Sequence, residues 1–380
     1  MKHTIRVFSI LLILTATLLQ PLNSFAAGFT GESDAGSLIL IEAETGTVLY
    51  EKDADTPRPP ASVTKVMTML LVMEALDSGK IKYEDIVTVS EHAANMGGSQ
   101  VYLEAGEQMT VHELLKCVVV SSANDAAVAL AEYISGSEDG FVAEMNKRAA
   151  ELGMTRTVFE NTNGLDDTAQ NHVTTARDIA IMSAELITNH PKILEYSSIW
   201  MDSIRGGEFG LTNTNRLIRF YNGANGLKTG STAKAGFCIS ASAERDGMQL
   251  ICVVMAASTR DSRNEIAKKL FDFGFANYRY VEFPENSMET VAVKGSAEYE
   301  LPLYYGEYKS VLEKKSGEVK TEILLPEYVT APIKAGDTVG RIRYTLNGET
   351  LTELPITAAR DIPRITFTAQ FLRLLKAMLY

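Results

Sequence analysis

An α+β fold is predicted: one antiparallel sheet with an inserted helical region, followed by a small C-terminal all-β domain. Three observations predict it. Two alternating stretches, Ser37 to Glu42 and Val48 to Glu51, come first; apolar residues at helical steps fill much of the middle of the chain; and strand character returns from Gly226 onwards. Strands, then helices, then strands and a closing helix describe one sheet interrupted by a helical excursion.

The 380-residue chain begins with Lys2, His3 and Arg6, an apolar run from Val7 to Leu22, and small residues at Ser24, Ala26 and Ala27. This is the order of a secretory signal peptide, cleaved after Ala26, so residues 1–26 are assigned to a leader and the remainder to an exported protein. An uncleaved membrane anchor is the alternative, but Ser9, Thr15, Thr17, Gln20 and Pro21 dilute the run.

Glu44-Thr45-Gly46 forms the turn between the first two strands, and Pro57, Pro59 and Pro60 then break the chain. From Ser62 the pattern is helical, with Val66, Met69, Leu70 and Met73 at three- and four-residue steps and Gly79 as the stop. Thr110 before Val111-His112-Glu113 is a capping-box start for a helix carrying Leu114 to Val120, and Thr175-Ala176-Arg177-Asp178 opens another. Gly226 to Thr229 and Phe237 to Ala243 read as strands. Asp246-Gly247 makes a tight turn, Gln249 to Ala256 runs back antiparallel, and a helix from about Arg263 to Tyr278 closes this part of the chain.

Composition shifts after Tyr280. Short β-like runs, among them Thr290 to Val293, Thr338 to Leu346 and Thr350 to Leu354, are punctuated by Pro284, Pro302, Pro326, Pro332 and Pro355. Residues 27–280 are therefore assigned to one domain and 281–362 to a small all-β one. In the last stretch, 363–380, Phe367, Phe371, Leu374, Leu375 and Met378 line one helical face, with Arg373 and Lys376 towards the polar side. Such an amphipathic end fits an interfacial membrane anchor; docking on the protein's own surface is the alternative.

The net charge of -12 gives a nucleic-acid partner no electrostatic support. Cys117, Cys238 and Cys252 are too few, and odd in number, for a disulfide framework; they read as small buried hydrophobes, with a Cys238–Cys252 bridge left open. The five histidines are scattered, with no metal-binding pattern, so neither metal nor cofactor is expected.

Three short motifs carry chemistry. In Ser62-Val63-Thr64-Lys65, residues three apart share a helical face, and a buried lysine of lowered pKa can take the serine proton. Taken alone it is equally a capping serine beside a solvated lysine. Ser121-Ser122-Ala123-Asn124-Asp125 comes directly after the apolar Cys117 to Val120, so hydroxyl and amide groups sit at the end of a buried element, as they also do in a capping turn. Lys228-Thr229-Gly230 lies on a strand. Alternation sends Lys228 and Gly230 to one face, the glycine leaves room for a substrate backbone, and the cation and hydroxyl suit a terminal carboxylate. An exposed edge lysine is the plainer reading.

Together, and in this order, the three motifs resemble the signature of penicillin-binding proteins and class A β-lactamases. The middle one reads Ser-Ala-Asn, which points away from the lactamases. Pro60-Ala61-Ser62-Val63-Thr64-Lys65-Val66-Met67, Ser122-Ala123-Asn124-Asp125-Ala126, Phe159-Glu160-Asn161-Thr162-Asn163-Gly164-Leu165, Ala176-Arg177-Asp178-Ile179-Ala180 and Gly226-Leu227-Lys228-Thr229-Gly230 with Ala235-Gly236-Phe237 narrow the resemblance. It is to D-alanyl-D-alanine carboxypeptidases of the low-molecular-mass penicillin-binding protein 5 type, over about residues 35 to 280, and the β-rich tail resembles that family's C-terminal domain.

The resemblance implies a β-lactamase/DD-peptidase-like domain acting on the peptidoglycan stem peptide at the extracytoplasmic face of the bacterial membrane, with β-lactam antibiotics as inhibitors. Ser62 would attack the penultimate carbonyl with Lys65 as proton acceptor, and Ser122 would relay a proton to the leaving D-Ala. Asn124 would orient substrate and lysine, Lys228 and Thr229 would hold the carboxylate, and the N–H groups of Ser62 and Ser231 would bind the oxyanion. Family members often carry histidine after Lys-Thr-Gly, where this chain has Ser231. A lactamase needs an added carboxylate for deacylation; Glu160 lies in a suitable loop, but no Glu-x-x-Leu-Asn pattern surrounds it.

Overall fold

The computed structural model describes residues 33–379 apart from 167–168, 284–289 and 314–315; the leader expected at 1–26 lies outside the described residues. Strands β1 (Ser37–Glu42) and β2 (Val48–Lys52) form the expected first hairpin. A 3-10 turn, Ala61–Thr64, leads into helix α1 (Lys65–Asp77), and just past its end stands Gly79 at positive φ. Next come β3 (Ile86–Thr88), α2 (Glu91–Ala94), β4 (Gln108–Thr110), α3 (Val111–Lys116), α4 (Asn124–Ser135), α5 (Glu138–Glu151), α6 (Ala176–Asn189) and α7 (Ile193–Ser197). Thr110 makes the capping box with Glu113 at the start of α3, and Thr175 caps α6 through the Asp178 amide.

The hairpin β5 (Met201–Ile204) and β6 (Phe209–Thr212) and the short α8 (Leu217–Phe220) precede the return to the sheet. There β7 (Ala224–Thr232), β8 (Gly236–Arg245) and β9 (Met248–Ala257) complete an antiparallel sheet of order β2-β1-β9-β8-β7. Helix α9 (Arg260–Asn277) closes the unit, starting three residues before the expected Arg263 because Thr259 caps it.

Period-two alternation divides this sheet between two cores. Ile39 and Ile41 of β1 and Ile251, Val253 and Met255 of β9 face the helical region, whereas Leu38, Leu40, Leu250, Cys252 and Val254 face α9. Both faces are covered, so Leu38 to Ile41 is an unbroken apolar run where an alternating stretch was expected. The same alternation excludes the Cys238–Cys252 bridge. Cys238 packs with the helical region and Cys252 with α9, on opposite faces, and all three cysteines are free and buried.

The chain continues through β10 (Tyr278–Phe283), β11 (Thr290–Lys294), β12 (Glu300–Tyr305), β13 (Tyr308–Glu313), β14 (Val319–Leu324), β15 (Tyr328–Thr330), β16 (Thr338–Leu346) and β17 (Glu349–Ala358). Six of these strands form a sheet of order β14-β16-β17-β12-β11-β15 around a third core that includes Leu301, Ile342, Tyr344 and Ile356. The all-β C-terminal region expected from the proline-punctuated runs is present. The expected break after Tyr280 falls inside β10, which pairs with β13, because the composition changes before the strand ends.

Helix α10 (Phe367–Leu379) is amphipathic. Phe367, Phe371, Leu374, Leu375 and Met378 are all exposed, while Arg373, on the polar side, stacks on Tyr299 at 4.3 Å and reaches Ser296 O. The apolar row is therefore not docked on the described body of the chain. Among the described residues no helix is long and apolar enough to cross a membrane.

Candidate active site

Ser62 lies one step earlier in the architecture than its helical pattern suggests. It sits on the 3-10 turn before α1, between Ala61, held at φ 49°, and the first α-helical residue, Lys65. In a 3-10 turn side chains three apart eclipse one another. Lys65 Nζ accordingly lies 3.0 Å from Ser62 Oγ.

The lysine is completely buried. Burial, and after it the nearby charge of Lys228, holds its pKa well below the ordinary lysine value, against an opposing pull from Asp125. In the neutral form that burial favours, the amine has two N–H donors and one lone pair. The donors go to Asn124 Oδ1 at 2.6 Å and the Asn163 carbonyl at 2.9 Å, leaving the lone pair for the Ser62 hydroxyl.

Asn124 reaches Lys65 because of an irregularity in the chain. After α3 the backbone widens into a π-helical turn, Cys117–Ser121, where the sequence pattern had continued a helix to Val120. The turn ends at Ser122 in the left-handed conformation, φ 62°, and α4 then restarts at Asn124. Such a widening redirects side chains at its exit. Asn124 Nδ2 donates to Gly97 O at 2.7 Å, which fixes the amide with its oxygen towards Lys65. The Asp125 carboxylate accepts the N–H groups of Val101 and Leu103, tying the loop before β4 to the same corner.

The third motif lies on β7, the edge strand of the sheet. Lys228 is buried rather than an exposed edge lysine, and burial, with Arg263 nearby, lowers its pKa to about 7. Its Nζ donates to Thr229 O at 2.9 Å, and Thr229 Oγ1 donates to Thr214 Oγ1 at 2.8 Å. Gly230 serves a different purpose from the expected one. A Cβ there would stand 2.8 Å from Ser62 N and 2.9 Å from Pro60 O, so the missing side chain admits the protein's own Ser62 turn, and not a substrate backbone at that point. Ser231, next along, is exposed.

Ser62, Lys65 and Asn124 are thus joined by direct contacts. Gly230 packs on the Ser62 turn, Lys228 acts on Lys65 through its charge, and Ser122 is two residues from Asn124. Of these polar side chains only Ser62 and Ser231 are not buried.

A match to the family model described as D-alanyl-D-alanine carboxypeptidase spans residues 24–259, and one to the C-terminal domain of penicillin-binding protein 5 spans 283–364. The chain belongs to the D-alanyl-D-alanine carboxypeptidase family. It is a serine-type carboxypeptidase with the DD-peptidase fold of that family. It is 45% identical over 342 residues to D-alanyl-D-alanine carboxypeptidase DacF of Bacillus subtilis, covering 88% of this chain and 87% of that one. DacC of Escherichia coli is 36% identical over 356 residues, covering 90% and 88%. Among solved structures, penicillin binding protein 5 from Haemophilus influenzae is similar with a TM-score of 0.77 at 31% identity, covering 88% of this chain and 98% of that one. Penicillin-binding protein D2 from Listeria monocytogenes, in its ampicillin-bound form, is similar with a TM-score of 0.59 at 33% identity, covering 64% and 98%.

Several groups around the carboxypeptidase's site were invisible in the motifs. Asn163 holds Lys65 through its backbone carbonyl, which no side-chain pattern encodes. Thr214 and Arg263 approach Thr229 and Lys228 from segments far away in sequence. Gly164 was a readable signal: a Cβ at its φ of 83° would come within 1.9 Å of Ala61 O. Glu160, weighed as a lactamase-type carboxylate, instead accepts the backbone N–H groups of Gln170 and Asn171 in its own loop. Elsewhere, Glu74, Glu185 and His190 converge in a way the scattered histidines did not suggest. Arg148 bonds both carboxylates, at 2.7 and 2.6 Å, and supplies their counter-charge.

Proposed function

We propose that this carboxypeptidase removes the terminal D-Ala of peptidoglycan stem peptides with Ser62 as nucleophile and Lys65 as general base. The observation that carries the reading is the buried Lys65, with both N–H donors engaged and its lone pair left for Ser62 Oγ at 3.0 Å. Ser62 attacks the penultimate carbonyl as its proton passes to Lys65, and the C–N bond to the last D-Ala breaks as Ser122 relays a proton to the leaving nitrogen. Water then hydrolyses the ester. Asn124 orients Lys65 and the substrate amide, while Lys228 and Thr229 hold the terminal carboxylate. The packing of Gly230 on Ser62 N favours an oxyanion site formed by the amides of Ser62 and Ser231. The same serine is acylated by β-lactams, in keeping with the ampicillin- and cefotaxime-bound forms of the Listeria relative.

The division into leader 1–26, catalytic domain 27–280, β-domain 281–362 and terminal helix 363–380 belongs to this proposal. So do export across the membrane and attachment to its outer face through α10, supported by the exposed apolar row of that helix. Purified protein incubated with a pentapeptide ending in D-Ala-D-Ala should release free D-alanine, and Ser62→Ala should abolish both this and covalent labelling by a fluorescent penicillin. Persistent labelling of the variant would place the nucleophile elsewhere.

A further inference from the structure

Thr64 takes no part in the acyl-transfer chemistry, yet it is completely buried and bonded on both sides. Its hydroxyl donates to Ala61 O at 2.8 Å and stands 2.7 Å from His172 Nε2. The other ring nitrogen settles the direction of that second bond. Nδ1 accepts the Glu160 N–H at 3.0 Å, so it carries the lone pair, and the ring proton sits on Nε2 and is donated to Thr64. A continuous path results, from imidazole N–H to hydroxyl to the Ala61 carbonyl. Burial pushes the His172 pKa down to about 4, which keeps the ring in this neutral form.

Both ends of the path bear on Ser62 and its base. Ala61, immediately before the nucleophile, has the left-handed φ of 49°, which disfavours any residue with a side chain. Its carbonyl meets the Thr64 hydroxyl on one side and Gly164 on the other. On the far side of the ring, Glu160 and His172 bracket the segment that carries Gly164 and Asn163, and the Asn163 carbonyl is one of the two acceptors of Lys65. A residue with no contact to a reacting atom thus touches the supports of both reacting groups.

We infer that His172 is a positioning residue for acylation: through Thr64 it fixes the Ala61 carbonyl and the turn presenting Ser62. This rests on the reading of Ser62 as nucleophile, which Ser62→Ala tests separately in the same labelling assay.

Two substitutions separate the ring's two bonds. Glutamine can place an amide N–H where Nε2–H stands, restoring the bond to Thr64; asparagine reaches only as far as Nδ1 and restores the bond to Glu160. With a fluorescent penicillin and purified protein, His172→Gln should acylate within about threefold of wild type, whereas His172→Asn should be slower by about tenfold or more. Thr64→Val should be slowed like His172→Asn, and the double variant should be no slower than the slower single one, because both remove the same link. Equal rates for the glutamine and asparagine variants, fast or slow, would overturn the inference. So would rates that simply track the thermal midpoints, since a merely structural histidine predicts that. If His172→Asn does not fold, Thr64→Ser against Thr64→Val decides the matter: serine keeps both bonds and should keep the rate, and equal rates for that pair would likewise overturn it.

Discussion

At the residue scale the proposed mechanism divides the labour between two buried lysines, and their surroundings make the division testable. In that proposal Lys65 has to be neutral to accept a proton, which burial and the charge of Lys228 favour, whereas Lys228 has to be charged to hold a carboxylate. In the free enzyme burial brings Lys228 to about 7, so its ammonium is lost as pH rises through that value. kcat/KM on a D-Ala-D-Ala peptide should therefore fall on the alkaline side from near pH 7, and fall on the acid side as Lys65 becomes protonated. Once substrate is bound, its carboxylate beside Lys228 stabilises the ammonium and raises that pKa. The alkaline limb of kcat should then lie above that of kcat/KM, since the two report the bound and free enzyme respectively. A kcat/KM still climbing at about pH 9 would exclude Lys228 as the carboxylate's cation. Ser62, Lys65 and Asn124, which the structure joins, were legible in the sequence, because side-chain chemistry leaves a mark in residue type. Asn163 was not, since its contribution is a carbonyl that every residue possesses.

Element boundaries account for most of what sequence periodicity missed. The helix expected from Ser62 begins at Lys65, and the one expected through Val120 ends at Lys116 before the π-helical turn. Both departures lie beside reacting groups. Apolar spacing reports burial, which is unchanged by a turn that tightens or widens, so the pattern continued where the hydrogen bonding did not. The sheet strands were legible to within a few residues because alternation and continuous apolar runs arise directly from having one or two covered faces. Helix α10 was equally legible, and its orientation supplies the next prediction. Phe367 and Met378 are 86% and 83% exposed, while Arg373 faces Tyr299, so the row free to enter a lipid surface is the apolar one. Replacing Phe371 and Leu374 with glutamate should move the protein from the membrane to the soluble fraction without lowering penicillin labelling, as neither residue belongs to the site. A doubly substituted protein that still sediments with membranes would refute attachment through this helix.

At the scale of the whole molecule, the two sheets are linked by more than their connecting chain. Strand β10 leaves α9 and pairs over six residues with β13, and Val311 of β13 is buried in the core on the α9 face of the first sheet. Tyr280 donates to Glu42 at 2.5 Å, and Lys309 pairs with Glu44 and Glu282. The magnitudes of these links differ. The Lys309 partners are about half exposed, so those ion pairs contribute at most about 1 kcal/mol and less in salt. Burying Val311 contributes about 1.5 kcal/mol or more, and losing β13 would also leave β10 as an unpaired edge. Every residue of the site, by contrast, lies at or before Arg263, and among the described residues no β-domain side chain bonds to Ser62, Lys65 or Asn124. Ending the chain after Phe283 should therefore lower the thermal midpoint by about 5 °C, taking about 2–4 °C per kcal/mol for a domain of this size. Penicillin labelling of the folded fraction at 25 °C should persist near the full-length rate. Melting and labelling should thus separate: the first reads the loss of Val311 and the β10–β13 pairing, and the second reads a site built without them. A truncated protein that melts with the full-length one would mean that β13 adds nothing to the first sheet's stability. One that folds but no longer labels would mean that the β-domain holds the site in shape from a distance.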